Sequence, residues 1–204
     1  MPPKHHQNGQ YNKGHTLYTM MADQEVTQQQ YEELVEDARY LEDEAEALKY
    51  IIDEVPYTEV PSGQMSIIQK LALIDYAQHR YYRPLIERIF TSARPVQLKN
   101  IDHYTDSFEF PDDEKDVQKV LNKIIKHRAA ILNLFDKIPL IDWERAVVDS
   151  DGKTISLFDF VNSMIKEERK QLKEIADLVL IYQHNKQANR EANAKAKKRH
   201  NRGD

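Results

Sequence analysis

Residues 154–182 put a carboxylate in the middle of an apolar helical face, and that residue limits what the chain can fold into. Leu157, Phe158, Val161, Met164, Ile165, Leu172, Ile175, Leu178, Val179 and Tyr182 recur at the step of about 100° per residue that marks one side of an α-helix. Glu168 points along the centre of that side, and Gln171 lies on it too. A carboxylate taken out of water without a partner is costly, so the fold must bring it a cation, a proton or a ligand.

Three further segments carry the same period. Residues 27–53 form a stripe from Tyr31, Leu34, Val35, Ala38, Leu41, Ala45, Leu48 and Ile52, closed by Pro56 and Pro61. A second helix starts near Ser66, a residue type suited to the N-cap, and is expected to bury Ile67, Ile68, Leu71, Ile74, Tyr81, Tyr82, Leu85, Ile86 and Ile89. Pro84 is expected to kink it, because proline removes a donor and clashes with the preceding turn. A third helix is expected over 112–138, opened by Asp112, Asp113 and Glu114, acids that suit a helix N-terminus. Four amphipathic helices without strands predict an all-α four-helix bundle. The connection over 91–111 is long enough to cross the bundle, which makes the second and third helices parallel.

The flanks differ from this body. Residues 1–24 lack periodicity and read as a disordered tail, with Met1 and Met21 as alternative native starts. Residues 186–204 hold seven Lys/Arg against two acids, while the bundle over 25–185 holds 20 against 31, a net of −11. Such a body repels nucleic acid, so only the basic tail could attract it. No apolar run approaches the roughly 20 residues of a membrane span. The absence of cysteine excludes disulfides and thiolate metal sites and fits a reducing compartment, so a cytoplasmic location is expected.

Glu168 has candidate partners. Arg128 sits at the centre of the third helix's apolar face, and Asp75 and Gln78 interrupt that of the second. The predicted arrangement is a buried polar layer, formed between adjacent antiparallel helices, in which Arg128 bridges Glu168 and Asp75 with Gln78 and Gln171 alongside. Arginine suits this because its planar fork can bind a carboxylate through two donors. The layer either fixes helix register or floors a small-molecule pocket. Thr154, Ser156 and Ser163 have no histidine base nearby in sequence, so no nucleophilic set is visible among them, and there is no Gly-rich phosphate loop.

The order of pieces resembles a known family. Residues 61–72 (PSGQMSIIQKLA) resemble the entry to helix two of the DinB-like four-helix-bundle proteins, 142–145 (DWER) and 152–157 (GKTISL) resemble the approach to their last helix, and 167–175 (EERKQLKEI) resembles their H-x-x-x-H-L-x-x-I signature. The resemblance spans about 27–183. It implies a bundle of this topology, a homodimer, and a divalent metal held by three histidines that supports thiol-dependent transfer. Those histidine positions fall on Leu73, Glu167 and Gln171. Leucine offers no lone pair and glutamine is a poor transition-metal ligand, so a fold that keeps the bundle without the metal or any cofactor is expected.

Two classes of function follow. One is a non-catalytic protein that binds a small ligand or a protein partner. The other is an enzyme of the thiol-transferase type with a metal site rebuilt from Asp75, His79 and Glu167, since carboxylate and imidazole sets do hold metals and Asp75 and His79 are one helical turn apart.

Overall fold

The computed structural model describes residues 25–61, 64–111 and 113–200. The tail expected over residues 1–24, with the second start at Met21, lies outside them. Helix α1 (Gln28–Ile51) begins at a Thr27–Gln30 capping box and ends in a 3-10 turn, Ile52–Glu54. Ser66 caps α2 (Ile67–Tyr76) in the same way: its hydroxyl accepts from the Gln69 amide, and the Gln69 side chain accepts from the Ser66 amide at 2.8 Å.

The proline in the second helix has a different consequence from a simple kink. Helix α2 runs into a π-helical segment, Ala77–Tyr82, and continues as α3 (Arg83–Thr91), with Pro84 in the first turn of α3. A wider turn before the proline accommodates its ring and its missing donor without ending the helix.

The crossover carries β1 (Val96–Gln97) and the short α4 (Tyr104–Ser107). Helix α5 (Val117–Phe135) starts later than the acids at 112–114 suggest. Its N-cap is Asp116, which accepts from the Lys119 amide at 2.9 Å. Glu114 instead takes ion pairs from Lys119 and Lys123 at 3.1 and 3.3 Å.

The expectation of a chain without strands is corrected here. The segment before the last helix forms a hairpin, β2 (Ala146–Val148) and β3 (Thr154–Ser156), turning at Gly152 with φ +82°. β1 joins β2 in parallel, Val96 opposite Val147, so a three-stranded sheet links the two connectors. Residues 154–156, expected to be helical, belong to β3.

The last helix, α6, spans Leu157–His200. Lys186 Nζ still reaches the Glu54 carbonyl at 3.1 Å, whereas residues 187–195 are exposed. The basic segment thus prolongs α6 by 14 residues, about 21 Å at the rise of an α-helix.

Cross-links fix the directions. Gln118, at the start of α5, donates to the Lys49 carbonyl at the end of α1 at 2.9 Å, so these helices are antiparallel. Asp37–Arg169 and Glu54–Lys186 make α1 and α6 parallel. The second helix and α5 run parallel, their early residues Ile67 and Val117 sharing one apolar cluster and their late residues Ile89 and Phe135 the other. Helices α5 and α6 each pack on α1 and α2 and lie diagonally opposite one another.

The core has two halves. One gathers Leu34, Ile86, Ile131, Phe135, Trp143 and Val161; the other gathers Leu41, Ile52, Leu71, Ile74, Leu121, Ile124 and Ile175. None of the described helices is long and apolar enough to cross a membrane.

Candidate functional site

Between the two halves lie the buried polar side chains Gln78, Arg128 and Glu168, at 0, 0 and 2% exposure. The π segment supplies Gln78, α5 supplies Arg128 and α6 supplies Glu168. Arg128 Nη2 donates to Glu168 Oε2, and Gln78 Nε2 donates to Glu168 Oε1 at 3.3 Å. Both carboxylate oxygens are therefore engaged. The guanidinium is less fully used: among the described residues its Nε and Nη1 have no acceptor, and Gln78 Oε1 has no donor.

The layer differs from its sequence expectation in four respects. Arg128 reaches Glu168 across the bundle diagonal and not between adjacent helices, and it does so through one nitrogen and not both arms of its fork. Asp75 is not in the layer. Its Oδ1 lies 2.7 Å from His127 Nδ1, because Asp75 and His127 occupy the flank where α2 meets α5. Gln171 belongs to a neighbouring network, donating to the Tyr104 hydroxyl at 2.8 Å and to Glu167 Oε1 at 3.4 Å.

Tyr104 was not singled out by the sequence. Its position is set by the crossover, whose long-range path no helical period reports. Its ring packs on Tyr81 and Tyr82, with centroids 5.5 and 5.6 Å apart. Burial pushes the Tyr82 and Tyr104 phenols upward, and the nearby Glu168 carboxylate adds to the shift, so both hydroxyls remain protonated at neutral pH.

On the flank, the His79 and His127 rings stack at 4.6 Å with an interplanar angle of 11°. Burial lowers the His79 imidazole below its ordinary value, and the adjoining His127 and Arg80 push the same way. Asp75 and His79 also line a pocket of about 310 Å³, with Tyr76, Arg80, Phe108 and Lys123. His127 lies 52 residues from Asp75 in sequence, so only the pairing of α2 with α5 reveals the contact.

No protein-family profile matches the chain, and no curated protein matches it. The structure of YfiT from Bacillus subtilis, a probable metal-dependent hydrolase with an unusual four-helix bundle topology, matches at a TM-score of 0.62 and 12% identity, over 76% of this chain and 89% of that one. The fold is the DinB-like bundle of YfiT. The likeness to YfiT extends to the arrangement of the helices, and at this identity it says nothing of chemistry.

YfiT's description raises the question of whether this chain's residues suit a metal. Leu73 is half-buried beside the first core half, and Glu167 and Gln171 bond to one another. Asp75 and His79 meet His127, whereas Glu167 meets Gln171, beside Tyr104. Among the described residues no three His, Asp or Glu side chains gather as a ligand set. A Leu/Glu/Gln trio supplies one good oxygen donor, which does not fit a divalent transition metal.

Proposed function

We propose that the protein is a DinB-like bundle that has lost the metal-binding histidines and acts without catalysis, by binding a small ligand or a protein partner. The observation that supports this most directly is the state of the three positions that the motif resemblance sets opposite the family's histidines. Leu73 has no lone pair, and Gln171, whose amide nitrogen donates to Tyr104 and Glu167, offers only a neutral amide oxygen, a poor ligand for a transition metal. The layer of Gln78, Arg128 and Glu168 then acts as a structural divider that holds helix register. The 310 Å³ pocket on the α2–α5 flank, with aromatic walls from Tyr76 and Phe108, is the natural place for a small ligand.

Elemental analysis of protein purified without tag or chelator tests this reading. The expected result is substoichiometric zinc, nickel and iron, with a melting temperature that EDTA leaves unchanged. One divalent metal per chain would overturn it.

A second reading has one observation in its favour. Asp75 and His79, two of the donors of a rebuilt site for a metal-dependent enzyme of the thiol-transferase type, both line the flank pocket, where a carboxylate and an imidazole face the same space. Bound metal that disappears on His79→Ala would select this reading.

A further inference from the structure

The second helix ends at Thr91, and the chain turns through residues 92–95 into β1. Beside this turn is a pocket of about 450 Å³ lined by Arg88, Ser92, Arg94, Gln97, Asn100 and, on its apolar side, residues including Ile101. It shares no residue with the layer around Glu168 or with the flank pocket.

The chemistry of its wall is one-sided. The chain carries 34 acids against 29 Lys/Arg, yet no Asp or Glu lines this pocket. Among the described residues, Arg83, Arg128, Arg145 and Arg169 each pair with a carboxylate, and Arg88 and Arg94 do not. The other polar lining groups, a hydroxyl and two amides, can all donate hydrogen bonds.

The wall is also held in place from behind. Arg145 Nη1 donates to the Ser92 carbonyl at 3.0 Å, which ties down the turn. Val96 pairs with Val147 in the sheet and is 4% exposed, which anchors the next stretch. Asp142 neutralises Arg145, so the positive charge on this open wall comes from the exposed Arg88 and Arg94. The C-terminus of α3 opposes an anion with about half a unit charge, against two full positive charges on the guanidiniums. The balance favours an anion.

We propose that this pocket binds a small organic anion, a phosphate or carboxylate head on an apolar body. The head group meets Arg88 and Arg94, whose planar donors suit both oxyanions, and the body lies against Ile101 and its apolar neighbours. This inference stands whether or not the protein holds a metal.

Phenyl phosphate and benzoate are the probes, inorganic phosphate is the head-group control, and sodium chloride matches ionic strength. Each is titrated into the full chain and read by calorimetry and by backbone amide NMR shifts. At least one organic probe is expected to saturate, to shift the amides of Ser92, Gln97 and Asn100, and to bind more tightly than inorganic phosphate. Arg88→Gln/Arg94→Gln should weaken it tenfold or more. A response to phenyl phosphate alone assigns a phosphate ligand, and one to benzoate alone a carboxylate. Asn100→Trp, which fills the pocket from an exposed position, should abolish binding and serves if the arginine variant does not fold. If neither organic probe saturates, or both variants bind as wild type does, the pocket is not an anion site.

Discussion

Arg128 and Glu168 meet across the diagonal of the bundle, joining α5 to α6, two helices that otherwise touch mainly through their neighbours. At 0 and 2% exposure, each is the other's main compensation for leaving water. Removing one partner strands the other, whereas removing both leaves an apolar site. Arg128→Leu is therefore expected to cost about 3–5 kcal/mol, and Arg128→Leu/Glu168→Leu much less. Urea unfolding of the two variants checks this, and equal losses would show that the pair is not what the layer depends on.

Acid should weaken the fold through His79. Burial and the adjoining His127 and Arg80 hold its pKa below the ordinary 6.5. The unfolded chain then binds the proton more readily than the folded one, so stability is complete above about 6.5 and declines as pH falls through the lowered value. Melting temperature recorded from about pH 8 to pH 5 should drop below about 6.5, and His79→Gln should flatten that part of the curve. A variant that keeps the same slope would place the proton elsewhere.

The start of the second helix depends on one hydroxyl. Ser66 is buried and accepts from the Gln69 amide, while Gln69 returns the bond. Ser66→Ala should cost about 1 kcal/mol, with Ser66→Asp nearer to wild type. Thermal or chemical denaturation of both decides whether the cap acts as described.

Gly152 turns the β2–β3 hairpin at φ +82°, a region unfavourable to residues with a Cβ, although the space around that atom is open. Gly152→Ala should thus lose about 1–2 kcal/mol through backbone strain alone. Gly152→Asn should lose less, since asparagine tolerates this conformation. If alanine and asparagine prove equally mild in calorimetry, strain is not the reason for glycine here.

What the sequence revealed, and what it hid, follows from range. Helical faces repeat over many residues, so Leu71, Ile124 and Ile175 could be placed inside, and Arg128 and Glu168 stood out as charges among them. Ser66 was legible because a cap is a local device. The strands at 96–97, 146–148 and 154–156 are too short for an alternating pattern, so the sheet had no signature. The partners of Asp75 and Gln171 were hidden for another reason. Both side chains sit where a helix meets a neighbour, and their contacts, His127 and Tyr104, depend on pairings that one helix cannot report. Pro84 announced a disturbance but not its form, a π turn that carries Gln78 and His79.

The division of the core has a consequence for how the chain must assemble. Each half draws on all four long helices, one from Leu34 to Ile165 and the other from Leu41 to Val179. No continuous stretch of the chain owns a core, and a fragment ending in the crossover would expose apolar faces from α1 and the second helix with nothing to cover them. The core closes only when segments from 52 residues apart, as at Asp75 and His127, to 132 apart, as at Asp37 and Arg169, have all met, which makes folding slower than helix content alone suggests.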